Sequence, residues 1–485
     1  MTVKKSENNK LIAKLQRKLE AREKEIAKLK AGRKADKKQI KNLQRENNKK
    51  KRQDGNSDKE PKQITFRTIR GFKFKEFVVS LATRLRARVK VCGVRSIRSI
   101  LDIVNESFHG ELFDETPSHQ TIEDWCEKAG LDVCTGAKDL FKNEEYVSIV
   151  DESISVGKQK LLLELAAPAK HPGRPLKQSD VSIVSMAVSP SWNTEATKQQ
   201  MDKTHKRIGH GPKYSVTDNG YNLCGACRQL GIAHHRDISH TFGVILKKHY
   251  GNCIDFKKLT EIMEKNRLKY HLTDKAIFLP PKQRAIARFM NCSQWVGWAK
   301  NTVGKYDTLT SEGKEACKFV KEYESLITEL DAVIECMAYV EKRCKQDGLS
   351  KNLAYFLQWY IARTLVTAKG ATHRMRMTGI DMYEYLRDEC KVLKTDKDLH
   401  IISSDIIESC FGTFKATKSP DKLCGITKHV LVLPLAMLFT SRQKRLEFDF
   451  KAAMENVHYK DLREWKDLNL YGNPAMERRD ILRKA

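Results

Sequence analysis

Tyr146–Val150 reads YVSIV and runs straight into Asp151, and Lys213–Thr217 reads KYSVT and runs straight into Asp218. Each is a short β-branched, apolar run closed by a carboxylate, the pattern of a strand buried on both faces. Two further runs follow the first, Lys160–Ala167 (KLLLELAA) and Val181–Val188 (VSIVSMAV). A helical stretch over Thr194–Ile208 separates the third strand from the fourth. A short helix over Leu223–Leu230 leads to a fifth strand, Ile232–Ile238 (IAHHRDI). Three strands, a helix, a strand, a helix and a strand predict an α/β core with a mixed five-stranded sheet.

A carboxylate at the carboxyl end of a buried strand has a rigid backbone and a free side chain. If the two strands are neighbours, Asp151 and Asp218 can share a hard cation, and oxygen ligands suit Mg²⁺ or Mn²⁺. Taken singly, a strand-end Asp is more often a turn or cap residue. A third acid comes from Ser403–Lys418 (SSDIIESCFGTFKATK), which reads as a helix with Ile406, Ile407, Phe411 and Phe414 on its buried side. Glu408 and Lys415 lie two turns apart on one face of it. That face offers one group able to ligate a metal and one able to meet a phosphate. A solvated stripe of Asp405, Glu408 and Lys415 would look the same.

Outward from this core, residues 252–400 lack strand signals. Amphipathic stretches at Phe256–Tyr270, Pro281–Thr302, Ser311–Lys345, Leu349–Ala368 and Met382–Val392 predict an all-α block at 253–399, lodged inside a core made of 145–252 and 400–425. Residues 426–485, including Lys428–Asn456, read as closing helices. Residues 62–135 read as a basic helical domain with helices at Phe74–Lys90, Ser96–Ser107 and Ser118–Ala129. Thr116 would cap the third and Pro117 would take its first position. Ile122 and Trp125 would face inward, leaving Ser118, His119, Gln120, Glu123 and Asp124 outward. That is helix-turn-helix logic with Ser118, His119 and Gln120 offered to DNA bases, although a plain three-helix packing gives the same pattern.

Residues 1–60 hold 21 Lys and Arg against 9 Asp and Glu, a net of +12. Ile12, Leu15, Leu19, Ile26, Leu29, Ile40 and Leu43 share one heptad register, interrupted by Arg22, Arg33 and Asp36, so the block predicts a basic coiled coil. Gln53–Pro61 is a polar linker. The whole chain of 485 residues carries a formal charge of +29. Such an excess points to a polyanionic partner and away from small-molecule chemistry. Thirteen Cys without framework spacing, and a charged N-terminal stretch, predict an intracellular protein, in cytoplasm or nucleoid if prokaryotic. The longest apolar run, Val430–Phe439, is too short for a membrane span. Cys224 and Cys227 make one CxxC; with His234, His235 and His240 nearby it is thin support for zinc. His171-Pro-Gly-Arg-Pro reads as a turn between strands two and three.

The strand order with its two Asp, and ESCFGTFK with Glu408 and Lys415, resemble the DDE transposases of insertion sequences. SHQTIEDW at 118–125 resembles their DNA-binding helix. The resemblance covers roughly residues 75–450. It implies a ribonuclease-H-like fold, in which Asp151, Asp218 and Glu408 hold two Mg²⁺ or Mn²⁺ ions. It further implies two-metal phosphoryl transfer: water cuts the transposon end, and the freed 3′-hydroxyl is joined to target DNA. Partners would be double-stranded DNA at both transposon ends and target, and further copies of the chain through residues 1–60 and the helical insertion. The 190-residue gap between Asp218 and Glu408 departs from compact members and fits those with an all-helical insertion, as in the hAT-like group. Those often place a His three residues after a Cys or Asp; here that is Asp237-Ile-Ser-His240. His240 then supports the scissile phosphate, and Asp237 rivals Asp218 as second ligand. A transposase-derived DNA-binding regulator without catalysis, or a structure-specific nuclease on the same core, are the alternatives.

Overall fold

The computed structural model describes residues 66–89, 92–156, 159–282, 292–417 and 425–484. The coiled coil expected over 1–60 and its linker lie outside them. Five strands form one mixed sheet: β1 (Tyr146–Val156), β2 (Gln159–Pro168), β3 (Ser182–Ser189), β4 (Tyr214–Thr217) and β5 (His234–Arg236), in the order β3-β2-β1-β4-β5. The two long hairpin partners run antiparallel, β1 with β2 and β2 with β3. The β1–β4 and β4–β5 pairs are parallel. The first expected strand therefore does not stop at Val150. Its pairing with β4 stops there, at Val150 opposite Thr217, while β1 continues to Val156 against β2 alone.

The parallel pairs need crossovers, and the sequence provides them. Between β3 and β4 runs helix α4 (Thr194–Ile208), started by Asn193, whose side chain accepts from the Ala196 N–H at 2.8 Å, and closed by Gly209 at φ +108°. Helix α5 (Tyr221–Gln229) links β4 to β5. Because side chains alternate along a strand, β1 serves two layers. Val150 packs with Leu162, Met201, Leu223, Ala226 and Cys227 beneath α4 and α5. Val147 and Ile149 face the opposite layer. That layer contains helix α13 (Asp405–Thr417), whose Ile406, Ile407, Cys410, Phe411 and Phe414 are buried against the sheet.

The N-terminal helices are α1 (Glu76–Arg88), α2 (Val94–Ser107) and α3 (His119–Phe141). Ile97, Leu101, Ile122 and Trp125 form their shared core. The third helix is capped by Ser118, whose hydroxyl accepts from the Thr121 N–H at 3.1 Å, so Thr116 and Pro117 precede it. It is also longer than its expected end at Ala129, running 23 residues. It continues because Leu131 and Cys134 have the sheet to pack on. The expected boundary at 135 falls inside this helix, and residues 66–485 form one compact unit. Gly130 is the tight point of the α3 packing: a Cβ there would sit 1.8 Å from the Leu431 carbonyl oxygen.

Between β5 and α13 the described chain is helical, apart from one isolated bridge between Leu349 and His400. The helices are α6 (Ile238–Tyr250), α7 (Ile254–Tyr270), α8 (Cys292–Lys305), α9 (Ser311–Glu322), α10 (Glu324–Asp347), α11 (Lys351–Ile361) and α12 (His373–Lys391). They share one core that includes α6, so the block begins at Ile238 in packing terms. Short helices α14 (Val432–Leu438), α15 (Arg442–Glu447), α16 (Phe450–Asn456), α17 (Tyr459–Asn469) and α18 (Pro474–Lys484) close the chain. Among the described residues no helix is long and apolar enough to cross a membrane.

Candidate active site

The parallel register sets the site. Val150 lies opposite Thr217, and Thr217 opposite Arg236. The next residues, Asp151, Asp218 and Asp237, therefore stand in one row where three adjacent parallel strands end their pairing. Two-residue alternation also puts Asp151 on the side of Val147 and Ile149, the layer that α13 covers. Helix α13 carries Glu408 in its first turn.

Asp151 is 7% exposed. Burial, then the neighbouring Asp218 and Glu408 charges, push its carboxyl up to about 7. Burial is the larger cause, the like charges of Asp218 and Glu408 add to it, and the nearby His240 opposes it. Asp218 is half-buried, and its Oδ1 accepts from the Gly220 N–H at 2.8 Å, which fixes the turn after β4. Glu408 keeps about half of its side chain exposed, and its carboxyl is also raised, by burial first.

His240 connects the remaining pieces. Its Nδ1 lies 3.0 Å from Asp237 Oδ1 and its Nε2 lies 3.5 Å from Glu408 Oε1. The hydrogen bond that its Nδ1–H donates to Asp237, with Coulomb attraction from Asp237, Glu408 and Asp218, raises the imidazole to about 9 despite burial. It is a fixed cation at neutral pH. Asp237 is fully buried and its oxygens are in use. Oδ1 caps α6 by accepting from the His240 N–H at 2.6 Å, and Oδ2 accepts from the Ser404 N–H at 2.6 Å. Those bonds hold its carboxyl below the usual range against desolvation. Asp237 thus ties α6 to the start of α13, and Asp218 is the freer of the two rivals.

All-oxygen donors crowded around a raised carboxyl suit a hard divalent cation in chemistry. In placement, Glu408 rests toward His240, and among the described residues no three His, Cys, Asp or Glu stand as a ready-made ligand set. Lys415 is exposed in the last turn of α13. Ser118, His119 and Gln120 are exposed at the start of α3, where Ser118 caps the helix and Gln120 donates to Asp124 at 3.1 Å. Cys227 packs in the apolar layer under α5, and Cys224 Sγ lies 3.8 Å from the Asp218 carbonyl. His171 receives the Gly173 N–H in its turn.

Two clusters escaped the sequence reading. Lys345 on α10 reaches Ser239 Oγ at 3.1 Å and Glu341 Oε1 at 2.5 Å, and pairs with Asp405, three residues before Glu408. Beneath β4 and β5, His235 lies 2.9 Å from both Glu389 Oε2 and His400 Nδ1, while Arg236 Nε donates to Glu389 Oε1 at 2.7 Å. His400 stacks on Tyr214 at 4.0 Å. Apart from the helical Glu341–Lys345 pair, four residues apart, these bonds join positions 60 to 165 residues apart, so no local signal marks them; they fasten the helical block to the sheet edge that bears the acids. No protein-family model matches the chain, and no curated protein matches it either.

Proposed function

We propose that the chain is a DNA transposase of the acidic-triad type, with a ribonuclease-H-like core in which Asp151, Asp218 and Glu408 are the catalytic acids. The observation that carries this reading is a buried Asp151 with two further acids, Asp218 and Glu408, near enough to add like charge to it. A buried carboxyl is held near 7 with Asp218 at the matching level of the next parallel strand and Glu408 on the helix above. A fold retains like charges so close mainly when cations offset them. The strand order and the helical block between Asp218 and Glu408 support the same reading, as does the +29 charge.

Asp151, Asp218 and Glu408 would hold two Mg²⁺ or Mn²⁺ ions, which supply charge neutralisation at the scissile phosphate and activate the attacking hydroxyl. Glu408 would leave His240 to do so. His240, kept protonated by Asp237, then faces the scissile phosphate as a cation. Lys415 and the exposed end of α3 would position the DNA strands. The coil at 1–60 and the helical block would bring two copies together on paired ends. The test uses the DNA that flanks the coding region. Short inverted repeats bounded by a target duplication, cut at their ends by the protein in Mg²⁺ but not in EDTA, support the proposal. Flanks without repeats, or no cutting of them, count against it.

A further inference from the structure

Helix α11 turns its apolar aliphatics inward and its aromatic rings outward. Leu353, Ala354, Leu357 and Ile361 are buried, whereas Tyr355 is 64% exposed, Phe356 41% and Trp359 55%. The rings recur three and four residues apart, so they form one stripe on the outer face. Phe356 and Trp359 stand 6.1 Å apart between centroids. Each already has a guanidinium over it. Arg363, just past the helix, lies 5.4 Å from the Trp359 ring, and Arg343 of α10 lies 5.7 Å from Phe356. Arg343 pairs with Asp347 at 2.6 Å. No carboxylate pairs with Arg363 among the described residues.

Exposed rings in a row are costly to leave in water and mark a contact surface. Their chemistry narrows the partner. The outer positions of this helix are Asn352, Tyr355, Phe356 and Trp359, with no carboxylate among them to repel a polyanion. Planar faces interleaved with guanidinium groups fit stacked bases joined by phosphates, and the charge of +29 favours a polyanion. We propose that this face binds single-stranded DNA, with bases stacking on Trp359 and Phe356 and phosphates meeting Arg363 and Arg343. It does so whether or not the acidic site cuts DNA.

The test is a fluorescence-anisotropy titration of the full chain with a labelled single-stranded oligonucleotide of about 20 residues, spanning one or two ordinary site sizes. Trp359→Ala should weaken binding roughly tenfold or more, without changing the slope of log affinity against log salt, because stacking releases no counterions. Trp359→Phe should bind like the parent. Arg363→Ala should lower the slope by ~0.7, the value for one phosphate on a single strand. An oligonucleotide with abasic sites should bind the parent and Trp359→Ala equally, since both then see only phosphates. The proposal fails if Trp359→Ala binds the intact strand as the parent does, or if the parent ignores base removal. A change in sedimentation mass in Trp359→Ala, with DNA affinity intact, would assign the face to a protein contact and equally overturn it.

Discussion

Replacing Asp151 with Asn keeps the shape of the side chain and removes the charge that its surroundings resist. Raising a carboxyl from its usual 3.8 to about 7 corresponds to ~4 kcal/mol of extra cost for ionising it in the folded chain. The sign follows from linkage. The unfolded chain loses the proton near 3.8 and the folded chain only near 7, so the folded state is penalised progressively as pH rises between those values, and fully above 7. At pH 8 without divalent cations, Asp151→Asn should therefore be more stable than the parent, by as much as ~4 kcal/mol less the cost of burying the amide. The advantage should shrink as pH falls and vanish near pH 4. Chemical denaturation of both proteins at several pH values, in EDTA, reads this directly. A variant that is no more stable than the parent at pH 8, or whose advantage does not vary with pH, would refute the buried, like-charged setting of Asp151.

Further outcomes follow from the same geometry. Millimolar Mg²⁺ or Mn²⁺ should raise the parent's unfolding midpoint more at pH 8 than at pH 6, since the cation competes with the Asp151 proton; scanning fluorimetry that finds equal shifts, or an equal shift in Asp151→Asn, contradicts it. Asp237→Asn should lower the His240 imidazole from about 9 toward its usual 6.5, because the Asp237 hydrogen bond is the largest cause of the rise; an NMR titration still showing a value near 9 argues against that pairing. Gly130→Ala should destabilise by ~1–3 kcal/mol, because the added Cβ meets the Leu431 carbonyl oxygen; unchanged denaturation would show that α3 and the 428–438 segment are not so close. His119→Ala with Gln120→Ala should reduce discrimination between end and random DNA by ~1–3 kcal/mol per lost base contact, measured by competition binding, whereas equal discrimination would move base reading elsewhere.

The sheet was legible because its strands obey simple periodicity. YVSIV, KLLLELAA and VSIVSMAV fall within one or two residues of β1 to β3 at their starts, and Thr194–Ile208 matches α4 at both ends. The extension of β1 to Val156 escapes a reading that ends the strand at Asp151, although ESISV alternates as a half-buried strand does and pairs with β2. The ends of α3 were misplaced for two reasons. Local rules favoured Thr116 and Pro117 over the Ser118 cap, and the helix lengthens only because the sheet lies under its C-terminal half. Asp151 and Asp218 could be suspected from two apolar runs that close on acids, whereas Asp237 lies inside the polar IAHHRDI stretch expected as the fifth strand. The choice between Asp218 and Asp237 was not legible, because it depends on the Ser404 N–H reaching Asp237 from 167 residues away. The Lys345–Asp405 contact and the His235–Glu389–His400 cluster were likewise invisible, being contacts distant in sequence.

The proposed chemistry needs three carboxylates acting together on DNA. The most direct measurement runs binding and cleavage in parallel on Asp151→Asn, Asp218→Asn and Glu408→Gln, using duplex from the element's own ends in Mg²⁺ or Mn²⁺. Each variant should bind the end DNA as the parent does and lose both strand cleavage and joining. Cleavage by Asp218→Asn with loss in Asp237→Asn would move the second ligand to Asp237. Normal cleavage by all three would contradict the transposase account itself.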